Sequence, residues 1–510
     1  LDAVRRYALV GDLEASLMSG VQHPIVVLEK APCYCLGDSV APGLDSIGVM
    51  LPYTGIHLLL LDRFGGDALV MTSGNYPGKP ISKDNYEALK ELKEIVDYYL
   101  LHNRTIVNRC DDSVIKVVDD TPLFLRKSRG YAPSYLSLPW DVQDRAVIAV
   151  GGEFNINGSL LIRDRLMTTQ HIGDAGDLDA LDFLDGALKY LLKVYGISKI
   201  SAIAHDLNPS FLTTRYAREL AEFYGARTVP VQHHHAHLAS LMAETSMPPD
   251  SSIVCITIDG VGYGTDGMAW GGEILVGGYS GFKRPAHLKP QPMPGGDLCA
   301  LYPARMLAGI LSTTFSNSEI KQLFKNNYME YLRYKESELD VILKQSKENA
   351  IKTSSLGRFL DAVAGALKIC SLRTYEGEPP MRLEALAKKG LPGKVALRLP
   401  VKTNGGRLII DTSELMCSIF ENLGRSRPED IAYEVHRIIG TTLAEVACTI
   451  SDDAGISVIG LSGGSTVNSL LHKYVKETIE YNKKKFVTNT NYPCGDGGVS
   501  AGQAVIASQS

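Results

Sequence analysis

The chain has 510 residues, of which 45% are hydrophobic and 21% charged, with a formal charge of −5. That length exceeds what one hydrophobic core supports, so two to four domains are expected, and the composition excludes a disordered or fibrous protein. The weak negative charge gives no global pull toward nucleic acid or an anionic membrane. No apolar run reaches the roughly 18 residues of a spanning helix.

The opening LDAVRRYALVGDLEASL reads as an amphipathic helix inside a domain, neither a signal peptide nor a transit peptide. Short strands are expected at Pro24 to Leu28 and Asp67 to Thr72, and a helix at Tyr86 to Leu101. Between them the apolar run Leu58 to Leu61 is stopped at once by Asp62 and Arg63. Tyr131 to Trp140, YAPSYLSLPW, carries Pro133 and Pro139, shows no helical period, and reads as a linker. Beyond it, Ala146 to Ile172 passes from an apolar strand through Gly151 and Gly152 into two more strand-like runs. Ile253 to Tyr279 follows the same plan, with VCITI, the turn DGVGYGTDG and MAWGGEILVGGY, so a duplicated α/β domain is expected. The lysine-rich run from Asn317 to Ala350 has a helical period and reads as a solvated helical insertion. A long amphipathic helix is expected over Asp430 to Ser451, ahead of the strand ISVIGL.

Nine cysteines are scattered without a single C-x-x-C pair, which indicates neither a disulfide framework nor a zinc ribbon and fits a reducing cytoplasm. The strongest local signal is VQHHHAHL, where four of the twelve histidines fall within five residues. His233 and His237 are four apart and share a helix face, the spacing with which two imidazoles grip one metal. Oxygen ligands are then sought at glycine-flanked aspartates. Asp259 opens DGVGYGTDG after an apolar strand, and Asp496 lies in CGDGGVSAGQ.

Other glycine loops suit a nucleotide. GLSGGSTVN, with Gly463, Gly464 and Asn468, follows a strand and precedes a helix, but it lacks the lysine of a Walker loop. PGGD, with Gly295, Gly296 and Asp297, and YEGE at Tyr375 to Glu378 are further turns with acidic partners. In the N-terminal part, TSGN (Thr72, Ser73, Asn75) follows DALVM, Ser113 starts a strand, and LRKSRGYAP offers Arg126 and Arg129. Small hydroxyl, amide and guanidinium groups of this kind suit phosphate or carboxylate oxygens.

Read together, these segments closely resemble the HypF family, the carbamoyltransferases of nickel–iron hydrogenase maturation. Residues 1–135 resemble its YrdC-like domain through MLPYTGIHLLLL, VMTSGNYPGKPI, HNRTIVNRCDDSV and LRKSRGYAP. Residues 136–510 resemble its TsaD-like domain through VQHHHAHLAS, DGVGYGTDGMAWGGE, MPGGD, SSLGRFLDAVA, YEGEPPMRLEALA, LSGGSTVN and GDGGVSAGQ. The resemblance implies an α/β protein, a YrdC-like α/β domain followed by a duplicated actin-like (ASKHA) domain. It implies a carbamoyltransferase that uses ATP and carbamoyl phosphate to make carbamoyl-adenylate. The carbamoyl group would pass to the C-terminal cysteine of a HypE-type partner, with no nucleic acid or membrane involved.

By the same resemblance, His233, His237, Asp259 and Asp496 would hold one Zn²⁺ or Fe²⁺ beside ATP and Mg²⁺. Gly295, Gly296, Asp297, Gly463, Gly464 and Asn468 would border that nucleotide, with Asp361 and Glu384 at its ribose. Thr72, Ser73, Asn75, Ser113 and Arg129 would bind the adenylate of the YrdC-like domain.

The sequence also departs from the family. An acylphosphatase-like domain and C-x-x-C zinc modules are not found, and the chain reads as starting inside the YrdC-like domain. Asn155 in GGEFNIN stands where the family commonly has lysine, and GGSTVN replaces GGVFQN. Two rival readings are threonylcarbamoyl transfer to tRNA, which uses similar domains, and a nucleotide-binding fragment without complete activity. The HHHAH spelling, the YEGEPPMRLE segment and the lack of a basic stripe favour the hydrogenase family.

Overall fold

A computed structural model describes every residue from Leu1 to Ser510 except Asp144 and Asn349. The chain divides into two compact units, one of residues 1–250 with 489–510 and one of residues 251–488.

In the first unit, β1 (Ile25–Glu29), β2 (Ser46–Val49), β3 (Val114–Val118) and β4 (Thr121–Arg126) form a four-stranded sheet in the order β2-β1-β3-β4. Val26, Leu28 and Ile47 lie in a small apolar core with Val4, Ala8 and Met18. The N-terminal segment is two short helices, Asp2–Arg5 and Asp12–Ser19. The single helix expected there is interrupted because Ala8 pairs as a β-bridge with Lys30.

The helix expected at Tyr86 to Leu101 is shortened to Asn85–Glu91, capped by Asp84. None of its residues is buried, and a helix without a packed apolar stripe has little to propagate it. The strand expected at Asp67 to Thr72 does not form: those residues are exposed and no neighbouring strand pairs with them among the described residues. β propensity alone does not hold an unpaired strand.

A second sheet of this unit comprises β5 (Tyr135–Ser137), β6 (Val147–Ala149), β7 (Ser159–Ile162), β8 (Arg165–Thr168), β9 (Ala202–Asp206) and β10 (Arg227–Val231). Its order is β10-β9-β6-β7-β8-β5. Part of the expected linker is therefore a strand, since Tyr135–Ser137 pairs antiparallel with β8. The prolines flank this strand, leaving its backbone N–H groups free to join the sheet edge. Strands β6, β9 and β10 run parallel and β6 and β9 are wholly buried, as a parallel core requires. Helix Leu178–Tyr195 lays Leu184, Leu188 and Leu191 into the same core.

The second unit is built on β11 (Ile253–Tyr263), β12 (Ala269–Gly278), β13 (Gly281–Leu288), β14 (Gln291–Met293), β15 (Ile351–Thr353), β16 (Val401–Asn404), β17 (Arg407–Ile410), β18 (Val458–Ser462) and β19 (Lys485–Thr488). Its main path is β16-β17-β13-β12-β11-β18-β19. The stretch β19-β18-β11-β12-β13 has the same order and directions as β10-β9-β6-β7-β8. The duplication expected from the two glycine-loop segments is thus a duplication of sheet topology.

The turn in DGVGYGTDG is tighter than expected. β11 continues through Tyr263, and only Gly264 to Gly267 reverse the chain, with Gly267 at φ +77°. The lysine-rich run forms helices Asn317–Asn327 and Lys335–Glu348, with Asn349 outside the described residues. It is not simply solvated, because Ile320, Phe324, Leu339, Ile342 and Leu343 belong to the core. The long helix runs Pro428–Ala454.

Candidate metal centre and nucleotide loops

Within the first unit the histidine cluster opens helix His233–Glu244, directly after β10. Gln232 caps the helix, its Oε1 accepting from the His235 amide at 2.9 Å. All twelve residues of this helix are buried. A helix polar on one side and buried on every side must find partners for its imidazoles inside the protein.

His233 and His237 lie one turn apart, their rings edge to face with centroids 5.0 Å apart. Asp496 begins a short 3-10 turn just before the terminal helix Val499–Gln509. Each of the three offers a donor atom within 4.8 Å of the others, and Asp496 Oδ1 lies 3.5 Å from His233 Nε2. Two ligands each about 2.1 Å from one ion stand at most about 4.2 Å apart, so a small inward adjustment would close this set on a cation.

The orientation of His233 comes from a residue absent from the sequence-based set. Asp206, at the end of β9 and fully buried, has Oδ2 at 2.9 Å from His233 Nδ1, and its Oδ1 accepts from the Asn208 amide. With Nδ1–H given to a carboxylate, Nε2 is left as the lone-pair donor, the arrangement that orients and strengthens an imidazole ligand. The strand-terminal pair His205–Asp206 in AIAHDLN is a signal that could have found it, because aspartates at the ends of parallel strands commonly serve sites. Asp206→Asn is expected to weaken metal affinity about 10–100-fold while leaving the circular dichroism spectrum unchanged. A chelator titration giving the wild-type constant would remove Asp206 from the centre.

Gly152 lies beside this group. A methyl there would meet His233 Cε1 at 3.7 Å and carboxylate oxygens of Asp206 and Asp496 at 3.9 Å. The loop is held by Thr213 Oγ1 donating to Gly152 O, and by Gln503 bonding both N and O of Gly151. Asn155, where the family commonly has lysine, adopts φ +48° and donates its amide to Asp174. Asparagine tolerates that left-handed backbone better than most side chains.

Glu244, at the other end of the histidine helix, fixes the approach to Asp496. Its carboxylate accepts from the amides of Thr490, Asn491 and Tyr492, from the Thr490 hydroxyl and from Asn489 Nδ2. One helix therefore carries two imidazoles of the cluster and the anchor for the segment leading to its carboxylate.

In the second unit Asp259 stands on β11, where its Oδ1 accepts from the amides of Gly260 and Gly464. Gly463 has φ +99°, and a Cβ there would lie 2.3 Å from Ile258 O, so only glycine fits this turn. Asn468 caps helix Ser469–Tyr481, and Glu384 Oε1 accepts from both the amide and the hydroxyl of Ser469. Both residues thereby position the start of that helix.

Asp361 is different. It is completely buried, and neither carboxylate oxygen has a hydrogen-bond partner among the described residues, although Arg358 Nη1 lies 2.9 Å away. Burial pushes its carboxyl up to about 6, against the lowering influence of Arg358 and Arg373. Gly295 (φ +85°) and Gly296 (φ +58°) make a left-handed turn ending at the exposed Asp297.

Of the adenylate set in the first unit, Ser113 and Arg129 are joined, Ser113 Oγ donating to Arg129 O at 2.9 Å. The Arg129 guanidinium also bonds Asp112 Oδ1 and the carbonyls of Gln22 and His23, and lies 3.6 Å from the Tyr53 ring centroid. Ser73 and Asn75 form a separate pair on an exposed turn beside Thr72, with Asn75 Nδ2 donating to the carbonyls of Tyr76 and Lys79.

Three family profiles match the chain. They are "Telomere recombination" (the Sua5, YciO and YrdC family) over residues 1–128, "HypF Kae1-like domain" over 142–244, and "Carbamoyltransferase, Kae1-like Domain, second subdomain" over 255–503. The probable carbamoyltransferase HypF of Methanocaldococcus jannaschii is 39% identical across 96% of this chain, which spans 63% of that relative's length. A carbamoyltransferase HypF homologue of Cupriavidus necator is 31% identical across 72% of this chain and 92% of its own. The crystal structure of full-length HypF in its phosphate- and nucleotide-bound form superposes with a TM-score of 0.91 at 34% identity, covering all of this chain and 78% of that one. Among the described residues no helix is long and apolar enough to cross a membrane. On identity, coverage and fold together, the chain belongs to the HypF carbamoyltransferase family.

Proposed function

We propose that this chain carries the ATP- and metal-dependent chemistry of a carbamoyltransferase in hydrogenase maturation. Carbamate, drawn from carbamoyl phosphate, would attack the α-phosphorus of ATP to give carbamoyl-adenylate and pyrophosphate. The C-terminal cysteine thiolate of a HypE-type partner would then displace AMP and keep the carbamoyl group as a thiocarbamate. The observation that carries this reading is the convergence of His233, His237 and Asp496 beside the glycine loop at Gly151 and Gly152.

His233, His237 and Asp496, with Asp259 as the proposed fourth ligand, would hold one zinc or iron ion; imidazole and carboxylate donors suit both. Such an ion supplies charge to triphosphate oxygens. The remaining work falls to residues of this chain. Asp206 keeps the His233 lone pair forward, and Glu244 holds the backbone that delivers Asp496. The turn at Gly463 and Gly464 is fit for a polyphosphate, because backbone amides can approach it without side-chain interference. Asp361, whose two acceptor oxygens have no hydrogen bond among the described residues, suits the hydroxyls of a ribose. Ser113 and Arg129 remain the adenylate candidates of the YrdC-like part.

The test supplies the protein with ATP, Mg²⁺ and ammonium bicarbonate, which equilibrates with carbamate, and measures pyrophosphate release with and without a peptide ending in cysteine. Carbamate-dependent release of AMP and pyrophosphate, lost in His233→Ala, is the expected result. Release that ignores carbamate, or survives that substitution, would overturn the reading, and a tRNA-dependent threonylcarbamoyl product would replace it.

A further inference from the structure

A cavity of about 360 Å³ lies within the first unit, lined by residues outside the metal and nucleotide sets, although the carbonyl of Gln22 in its wall accepts from Arg129. Ile115 and Phe124 contribute apolar wall, and Gln22, Thr490 and Asn491 contribute polar wall. Lys127 completes it. Lys127 is only 5% exposed, and the negative charge its ammonium feels is that of Glu244. The nearby carboxylate of Glu244 is already occupied by the donors of Asn489 to Tyr492. What the ammonium does touch is the face of Tyr492, 4.3 Å from the ring centroid, and that ring is held by its hydroxyl donating to Leu166 O. The Lys127 backbone is fixed as well, since its carbonyl accepts from the His171 amide and from Asn157 Nδ2.

A nearly buried ammonium on a rigid backbone, bordering a ligand-sized void and sharing its nearby carboxylate with the donors of Asn489 to Tyr492, can take a further partner from that void. Burial also lowers this lysine to about 8, against the raising influence of Glu244. We propose that the cavity binds a small organic anion, its acidic group against Lys127 and its apolar body against Ile115 and Phe124. The acidic group is a carboxylate or a phosphate. The inference is independent of the carbamoyl-transfer reading, because the cavity residues belong to neither the metal nor the nucleotide set.

Calorimetric titration of the whole chain with benzoate in one arm and inorganic phosphate in the other separates the two sources. Saturable binding near about 1 mM is expected in at least one arm, as suits a ligand of so few atoms. The neutral isostere benzamide should not bind. Lys127→Met should weaken the bound anion at least ten-fold, and Asn491→Asp, which adds negative charge to the wall with Lys127 in place, should do the same. His237→Ala should leave the affinity unchanged, which separates this cavity from the metal centre. Absence of saturable binding in both arms, benzamide binding as well as benzoate, or an unchanged constant in both cavity variants would overturn the proposal.

Discussion

His237→Ala is expected to leave the protein unable to retain a stoichiometric transition metal through dialysis, with affinity reduced by more than about 100-fold. The magnitude follows from position. Loss of an outer partner such as Asp206 costs about 10–100-fold, and loss of a donor from the ligand set itself must exceed that. Two imidazoles one helical turn apart on a rigid backbone would act as a chelating pair, so removing one would forfeit both its bond and the preorganisation of the other.

The fold should survive, because the helix retains its Gln232 cap and its packing on every side. Metal content by mass spectrometry, competition against a chelator and circular dichroism together check this. His235→Ala serves as the control, since His235 is on the same helix but outside the donor set. Full metal occupancy in His237→Ala, or equal losses in both variants, would count against the centre.

The parts of this structure legible in the sequence were those in which a single local pattern carried the information. The i, i+4 histidines rest on the helical period, and the duplication rests on two segments that each run from an apolar strand through a glycine loop into further strands. What was not legible depended on distant partners. Asp206 acts only because β9 and β10 lie side by side, carrying it to His233 across 27 positions. Glu244 reads as the ordinary end of a helix until the segment Asn489 to Tyr492 returns from the far end of the chain to hydrogen bond with it. The helix expected at Tyr86 to Leu101 was cut short at Glu91 for the complementary reason, since none of its residues is buried in a core. Asn468 and Glu384, read first as nucleotide contacts, also turn out to hold the start of a helix. A residue type suited to a ligand is often equally suited to a cap.

Gly502→Ala is expected to be the most damaging single-methyl change in the first unit. The terminal helix crosses the histidine helix there so closely that a Cβ at 502 would lie 1.8 Å from Ala236 O and 2.9 Å from Ala236 Cα. Both atoms are backbone, so no rotamer relieves the clash, and the two helices must separate. Overpacking of a core costs about 1–3 kcal/mol when side chains can adjust, and a backbone collision belongs at or above the top of that range. Ala236 immediately precedes His237, while Gly502 lies six residues beyond Asp496, so separation would also pull the proposed metal donors apart.

Gly186→Ala is the matched comparison. Gly186 sits mid-helix in Leu178–Tyr195, and a methyl added there would meet nothing within 4 Å, so the same substitution should stabilise by about 0.5–1 kcal/mol through helix propensity. Thermal unfolding of the metal-free proteins should show opposite shifts, several degrees down for Gly502→Ala and slightly up for Gly186→Ala. Metal retention should fall only in the former. A Gly502→Ala protein with an unchanged midpoint and full metal content would mean that the two helices do not approach as closely as their backbones indicate.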